Sequence, residues 1–396
     1  MRTRRHADRA DAGVVAAGGH ALPSDRLLYL DNLKVVLIAL IIALHAVLGY
    51  VGLFEAWTYA GVRETTLDPV VEMVLLVVLS PFGFFLIALL FLVAGLLTPG
   101  SHDHKGGRRF VEDRLLRLGV PFAIYVLLVQ PTLVYLLEHR FGDATGSWWQ
   151  EHLGAERRVD TGPLWFVGVL LVYSLAYAAW RSRRGPGRPP PRPPSLRTLA
   201  VATLAVAPTS FVVRLVYPYG GESGFTDLNL WEWPACIAVF VLGIRAARHG
   251  WVHAVPPDLV RPSRRLTAVA VVAMTVLLYV AGSRDAVEEM VGGWTWYAVA
   301  FACIEALLVV FGPVWLLDLS RRRLAGPLPW GEQLGRSAYG AFMLQTLFLL
   351  GLAVVLRPVP FPAEVKALLL AASAVAASFG AAWLLIQRVP GVARVI

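Results

Sequence analysis

LDNLKVVLIALIIALHAVLGYVG, residues 30–52, is the first long apolar run of the chain. A helix needs about 20 apolar residues to cross a bilayer, so this run predicts a membrane span. Lys34 and His45 are separated by about three helical turns, so they project within about 20° of each other, roughly 16 Å apart along the axis. This spacing places the cation at one surface and the imidazole near mid-depth. Because ionisable groups inside a membrane are costly, His45 is a candidate functional residue.

The composition is that of a polytopic membrane protein. Hydrophobic residues make up 57% of the chain, charged residues 16%, and the mean hydropathy is +0.61, more than a soluble core and its polar shell require. Cys236 and Cys303 both fall inside apolar runs, so we expect neither a disulfide framework nor a cysteine redox site. His102 and His104 lack further ligands nearby, and we predict no metal site.

Apolar windows of about 20 residues predict ten helical spans without a soluble domain between them. The spans are 30–52, 70–98, 116–137, 163–181, 198–217, 232–249, 265–282, 294–318, 336–356 and 365–387. The second is over-long and contains Ser80-Pro81-Phe82-Gly83, where we expect a kink or a short break. The predicted fold class is therefore an all-α, polytopic integral membrane protein.

Lysine and arginine are distributed unequally between the two sides of these spans. The side that includes both termini carries 28 of the 36 Lys and Arg residues, the other side carries seven, and Arg214 lies within a span. Positively charged loops stay in the cytoplasm, so both termini are predicted to be cytoplasmic. Membrane orientation also accounts for the net charge of +9, and binding to nucleic acid is not predicted.

The domain division follows from the same pattern. Residues 1–26 are rich in Arg, Ala and Gly and aperiodic, which predicts a flexible cytoplasmic tail and not a signal peptide. We expect residues 27–388 to form the membrane domain and 389–396 a short cytoplasmic tail. The Pro- and Arg-rich stretch 181–194 predicts an extended linker, with a polyproline ligand as the alternative.

High usage of Ala, Arg, Gly and Pro favours a bacterial source, and hence the inner (cytoplasmic) membrane.

Two residues are candidates for acid–base chemistry. The imidazole of His45 titrates near neutral pH and suits a general base for an attacking hydroxyl, with simple packing as the alternative. Glu72 lies near the outer end of the second span and is the candidate to orient the His45 ring, as the third member of a triad does.

Basic residues on the cytoplasmic side are candidates for phosphate binding. Lys34 shares the helical face of His45, and Arg114 and Arg117 share a face suited to bidentate phosphate contacts. The alternatives are membrane anchoring for Lys34 and contact with anionic lipid for the two arginines.

Three further residues in or beside spans carry open alternatives. Arg214 either snorkels to the interface or holds an anionic part of a substrate. Trp165 belongs either to an interfacial aromatic belt or to the rim of a sugar site. Glu305 is the most deeply placed acid and has no assigned role.

Five stretches, in this order, resemble the acyltransferase-3 family of integral membrane O-acyltransferases over most of residues 26–387. They are Leu30-Asp31-x-Leu33-Lys34-x10-His45, Phe84-Phe85 ending in Ala94-Gly95, Arg114-x-x-Arg117 with Pro121, Gly162-Pro163-Leu164-Trp165-Phe166, and Leu334-Gly335-Arg336-Ser337-Ala338-Tyr339-Gly340. Each motif is degenerate alone, and their order and spacing make the match specific. The stretches Asp31-Asn32-Leu33, Leu164-Trp165-Phe166 and Val239-Phe240-Val241-Leu242-Gly243 are most similar to the glucan-succinylating branch.

The resemblance implies an enzyme that moves an acetyl, succinyl or similar acyl group from cytoplasmic acyl-CoA, without a bound cofactor. The acceptor it implies is a hydroxyl of a glycan, a lipid-linked sugar or a small metabolite. It also implies that Lys34, Arg114 and Arg117 bind the donor while His45 acts at the reacting hydroxyl.

Three positions depart from the family pattern. Lys34 stands where arginine is usual, which removes the bidentate fork, and Ala94 stands where serine is frequent. Gln345 stands where histidine is frequent; it can hydrogen-bond a substrate but cannot shuttle protons. His45 is therefore expected to carry most of the acid–base chemistry, with Gln345 as a substrate-binding residue.

Two other classes of protein remain as alternatives. A transporter or flippase for a lipid-linked or exported metabolite would use Glu305, Arg214 and His45 as a proton or substrate path. A non-catalytic membrane subunit descended from an acyltransferase fits the departures at Lys34 and Gln345.

Overall fold

The computed structural model of the protein describes residues 27–52, 58–142, 146–153, 159–183, 192–221 and 227–395. Within these residues, ten helices are long and apolar enough to cross a membrane, and no β-strand is present. They are α1 (Leu28–Leu48), α2 (Pro69–Lys105), α3 (Gly107–Phe141), α4 (Gly162–Arg183), α5 (Leu196–Arg214), α6 (Leu230–Ala247), α7 (Pro257–Ser283), α8 (Trp296–Arg323), α9 (Gly331–Leu356) and α10 (Ala363–Arg388). The predicted all-α, ten-span class is confirmed.

Shorter helical segments lie in the connections and at the C-terminus of the described chain. They are Thr58–Val62, Trp148–Leu153, Val287–Val291 and Val392–Val395. The predicted tail 1–26 and residues 184–191 of the predicted linker lie outside the described residues. The division into tails and membrane domain stays a prediction.

α1 lies between two hydrophobic cores and contributes to both. Leu33 and Leu37 pack into a core built chiefly from α2, α6, α7 and α8. Ile38 and Ile42 pack into a second core, built chiefly from α3, α9 and α10. The apolar side chains on these two faces of α1 suit this central place, while Leu40 on another face remains exposed.

α2 and α6 pack closely where two glycines meet. A Cβ on Gly95 would overlap the backbone of Phe240, and a Cβ on Gly243 would overlap the backbone of Leu92. Membrane helices associate through van der Waals packing, which small residues at the crossing permit. The glycines of two sequence motifs therefore have a packing role.

α2 is helical through Pro81, so the expected short break is absent. Proline has no N–H, which leaves the carbonyl of Val77, one turn earlier, without its intrahelical donor. The hydroxyl of Thr275 in α7 donates to that carbonyl oxygen at 3.4 Å. A neighbouring helix therefore satisfies the freed backbone group, which is how membrane helices tolerate proline.

α3 contains two π-helical segments, Leu115–Gly119 and Tyr125–Val129. Such segments are rare and occur frequently at functional sites. The first contains Arg117, whose backbone carbonyl accepts a hydrogen bond of 2.7 Å from the Tyr339 hydroxyl of α9. The second begins at Tyr125, which is part of the polar network described below.

Candidate active site

His45 lies in the last turn of α1, which ends at Leu48. The predicted span continued to residue 52, but the chain leaves the helix at Gly49 and turns. The partner of His45, Gln345, lies near the middle of α9, and the mid-depth placement of His45 stays a prediction. The end of the bundle where α1 begins, beside Lys34, is called the Lys34 end below.

Gln345 of α9 is the hydrogen-bond partner of the His45 ring. Its Oε1 lies 3.0 Å from His45 Nδ1. A carboxamide oxygen can only accept, so Nδ1 carries the proton of this bond and Nε2 of the neutral ring holds a lone pair. Gln345 is fully buried, and its Nε2 has no hydrogen-bond partner among the described residues.

A narrow cavity lies beside His45. Its walls include His45, Tyr50, Tyr59, Arg63, Ala353 of α9 and Leu370 of α10. The Tyr59 ring stacks on the imidazole, with ring centroids 6.3 Å apart and planes inclined by 20°. Burial raises the pKa of Tyr50 to about 12 and raises the pKa of Tyr59 further above its usual value. Both phenols therefore remain protonated near neutral pH.

Glu72 lies in the first turn of α2 and holds the loop that follows α1. Its Oε2 accepts a hydrogen bond of 2.8 Å from the backbone N–H of Gly52. From the same loop, the Arg63 guanidinium donates to the carbonyl oxygens of Val51 and Gly52. Glu72 thus fixes the segment that carries Tyr50 to the cavity, and its orienting role toward His45 stays a prediction.

A polar network joins α3, α9 and the start of α4 next to the His45–Gln345 pair. The Tyr125 hydroxyl lies 2.7 Å from Gln130 Oε1 and 2.9 Å from Oγ1 of Thr346, the residue after Gln345. The Gln130 amide donates in turn to Asp160. These groups are buried or partly buried and bond one another, so they fix the position of α3 relative to α9 near His45.

Gly162 begins α4 in a conformation that favours glycine, with φ of +46°. Its backbone N–H donates to Asp160 Oδ1 at 2.7 Å. A Cβ at this position would lie 2.9 Å from the Tyr125 hydroxyl. The glycine of this motif therefore allows α4 to start directly against the polar network.

At the Lys34 end, α9 connects the predicted donor-binding residues of α1 and α3. Lys34 Nζ lies 3.2 Å from the Asp31 carboxylate, and the Asp31 side chain packs against Gly335 of α9. About one turn further along α9, Tyr339 donates to the Arg117 carbonyl. One helix thus carries contacts to Lys34's neighbour, to Arg117 and, nearer its centre, to His45.

Arg114 and Arg117 have different surroundings. The exposed Arg117 pairs with Asp113 at 3.2 Å. The half-buried Arg114 guanidinium lies over the Phe110 ring, 5.0 Å from its centroid, and its buried Nε has no hydrogen-bond partner among the described residues. An anionic oxygen is the natural acceptor for such a donor.

Arg214 is buried against Glu305 and does not snorkel. Arg214 Nη2 lies 2.6 Å from Glu305 Oε1, and the two side chains are 3% and 0% exposed. The guanidinium also lies over the rings of Tyr219 and Phe301, at 5.0 and 4.9 Å from their centroids. Glu305 therefore ties α8 to α5, and the substrate-binding role predicted for Arg214 stays a prediction.

Trp165 lies at the start of α4, where it is half-buried. Its ring centroid is 6.3 Å from that of Phe91 in α2. The adjacent Phe166 contacts Phe91 at 4.7 Å and Phe342 of α9 at 6.1 Å. These aromatic side chains pack α4 against both cores; the substrate-binding role predicted for Trp165 stays a prediction.

The ten apolar helices of the described residues define a multi-pass membrane protein, and the half-buried His45 with its buried partner Gln345 is a candidate acid–base site. The family model described as "Acyltransferase domain" matches residues 27–387. The chain belongs to the acyltransferase-3 family and is a membrane acyltransferase, which confirms the resemblance seen in the motifs. Comparison with curated proteins and comparison with solved structures each returned no match.

Several residues of the site were not found by sequence reasoning. Tyr59 stacks on His45, and a polar network that begins at Thr346, the residue after Gln345, continues through Tyr125 and Gln130 to Asp160. Gln130 and Thr346 carried one usable signal, because each is a polar residue inside an apolar run. Tyr59 and Asp160 lie in connections, and the sequence around them shows no pattern that marks them.

Proposed function

We propose that the protein is an O-acyltransferase of the inner (cytoplasmic) membrane that uses acyl-CoA as donor. The acyl group is acetyl, succinyl or a similar group, and the acceptor is a hydroxyl of a glycan, a lipid-linked sugar or a small metabolite. The observation that carries the proposal is the hydrogen bond from His45 Nδ1 to Gln345 Oε1, which selects the tautomer with the proton on Nδ1 and the basic lone pair on Nε2. Membership of an acyltransferase family supports the reaction class.

Both termini are cytoplasmic in this proposal, as the distribution of Lys and Arg predicts. The Lys34 end then faces the cytoplasm, where acyl-CoA is present. Lys34, Arg114 and Arg117 bind the phosphates of the donor, and the buried Nε of Arg114 offers one unoccupied donor for them. The acyl thioester extends along α1 and α9 toward His45.

The acyl group is transferred directly from the sulfur of CoA to the oxygen of the acceptor hydroxyl. His45 Nε2 takes the proton of the acceptor hydroxyl as its oxygen bonds to the acyl carbonyl carbon. The carbon–sulfur bond then breaks, and the thiolate of CoA leaves and receives the proton that His45 holds. The products are an ester and free CoA thiol, and no redox partner is needed.

Thiol release tests this function directly. Membranes containing the full-length protein are incubated with acetyl-CoA or succinyl-CoA and with glycans and lipid-linked sugars extracted from the source cells. We expect the wild-type protein to release CoA thiol and His45→Ala to release it at least about 10³-fold more slowly, because the general base is lost. His253→Ala, which changes an exposed histidine in a connection, is the matched control and should retain wild-type activity.

Two outcomes would contradict the proposal. If the wild-type protein consumes neither donor, the acyl-CoA-dependent reaction is wrong, and transport of a lipid-linked or exported metabolite becomes the function to test. If a well-folded His45→Ala protein transfers acyl groups at the wild-type rate, His45 is not the base.

A further inference from the structure

Gln345 uses only half of its hydrogen-bonding capacity in the structure. Its Oε1 accepts from His45 Nδ1, while its Nε2, which carries two N–H donors, has no partner among the described residues. The side chain is completely buried. By contrast, the hydroxyl of the adjacent Thr346 is bonded to Tyr125 at 2.9 Å.

A buried and unpaired amide donor is unfavourable, and buried polar groups of folded proteins nearly always find a partner. An unpaired donor beside a candidate base therefore points to a ligand that supplies the acceptor. The Oε1 bond to His45 also fixes the plane of the carboxamide, so the direction of its N–H groups is set before any ligand arrives. The donor is preorganised, and it lies beside the ring that takes the proton.

We propose that Gln345 is a catalytic residue with two roles: its Oε1 holds the tautomer of His45, and its Nε2 donates a hydrogen bond to the acyl carbonyl oxygen. This inference rests on the proposed function. The ligand group is the carbonyl of a thioester, on which negative charge develops as the acceptor oxygen attacks.

The two roles act in the same step. The acceptor hydroxyl gives its proton to His45 Nε2, its oxygen bonds to the carbonyl carbon, and the carbonyl π electrons move to the carbonyl oxygen. Gln345 Nε2–H stabilises that oxyanion, which collapses as the carbon–sulfur bond breaks and CoA thiolate leaves with the proton from His45. The hydrogen bond from the amide strengthens as negative charge develops on the carbonyl oxygen, so it stabilises the transition state more than the uncharged ground-state thioester.

Three substitutions separate the roles in the full-length protein. Gln345→Met has nearly the same shape and removes both donor and acceptor. Gln345→Glu keeps an acceptor for His45 Nδ1 and removes the Nε2 donor at neutral pH. Gln345→His can supply one nitrogen acceptor and one N–H donor. Gln333→Met, on the exposed first turn of the same helix, is the matched control.

The readout is kcat and KM for acetyl-CoA and succinyl-CoA from thiol release, with extracted acceptor present. We expect Gln345→Met to lower kcat by about 10²–10³-fold, the usual cost of losing an oxyanion donor, with KM for the donor changed less than about threefold. Gln345→Glu should lower kcat by at least about 10-fold. Gln345→His should retain more activity than either, and Gln333→Met should equal the wild type.

The outcomes distinguish the inference from the function on which it rests. A Gln345→Glu protein with wild-type kcat would overturn the donor role, and a Gln345→Met protein with wild-type kcat would overturn both roles. Loss of activity accompanied by a large rise in KM in all three variants would indicate donor binding and would also overturn the inference. If wild type and Gln333→Met are both inactive, the proposed function fails and the inference fails with it. If Gln345→Met does not fold, the kcat values of Gln345→Glu and Gln345→His test the inference.

Discussion

His45 has a defined chemical state because another side chain holds one of its ring nitrogens. The sequence indicates His45 by itself, since an ionisable residue within an apolar run is costly to keep. The partner is not indicated, because Gln345 is 300 residues away and meets the ring only through the packing of α1 on α9. Gln345 therefore contacts the candidate base without adding a second titrating group.

Lys34 provides a test of donor binding at the level of one residue. Its side chain is 41% exposed and pairs with Asp31, so the pair contributes little to stability. We predict that Lys34→Ala raises KM for acyl-CoA by about 10-fold or more, because a charge-assisted phosphate contact is lost, while kcat changes little.

The control for Lys34 is Arg108→Ala. Arg108 is a highly exposed cation near the same end of the bundle, and it pairs with Glu112 at 2.9 Å. Steady-state kinetics with varied acyl-CoA should show no change in KM for this variant. An unchanged KM in Lys34→Ala as well would remove Lys34 from the donor site.

α9 contacts both the predicted donor-binding region and the candidate acid–base site. It contacts Asp31 and Arg117 near its start and His45 and Tyr125 nearer its centre. The existence of α9 as a span was predictable from its apolar run. Its contacts were not, because they depend on which helices are neighbours and on the π-helical segments of α3, and hydropathy reports neither.

The crossing of α2 and α6 gives a prediction about stability. Gly95→Ala places a Cβ against the Phe240 carbonyl, so the helices must separate, and we expect a loss of about 1–3 kcal/mol in the free energy of unfolding. Gly100→Ala is the control in the same helix, because a Cβ there meets nothing within 4 Å. Unfolding of the two purified proteins in detergent should differ accordingly; equal stability would contradict the close packing.

The limits of individual helices were less predictable than their number. α1 ends before the predicted boundary because the chain turns at Gly49, and α2 continues to Lys105 because helix can persist beyond the apolar window. The break expected at Pro81 is absent because Thr275 of α7 supplies a donor to Val77. A tertiary contact decided the outcome there, and no local pattern records it.

At the scale of the whole molecule, the buried Arg214–Glu305 pair joins α5 to α8. Removing one partner leaves the other as an uncompensated buried charge, so we predict that Arg214→Met destabilises the protein by about 3–5 kcal/mol. The double variant Arg214→Met/Glu305→Leu should recover more than half of that loss, since no unpaired charge remains from the pair. Denaturant unfolding in detergent measures both; a double variant no more stable than the single one would contradict a pairing role.

The orientation of the whole bundle is also testable. The distribution of Lys and Arg predicts that both termini are cytoplasmic, which places the Lys34 end beside acyl-CoA. A reporter that is active only in the cytoplasm should therefore work at the N-terminus and at the C-terminus. If the reporter is inactive at both termini, the bundle has the opposite orientation, and the predicted donor site does not face the cytoplasm, where acyl-CoA is present.

Mass spectrometry of cells tests whether the protein transfers an acyl group to a hydroxyl with His45 as the general base. Surface glycans and extracted metabolites are compared between cells with the native protein, a deletion strain and a strain carrying His45→Ala at equal expression. We predict that one acyl-sized mass is lost to the same extent in the deletion and in His45→Ala, which identifies the group and ties it to this residue. Retention of every acylated species in both strains, with an unexported product accumulating only in the deletion, would contradict the account.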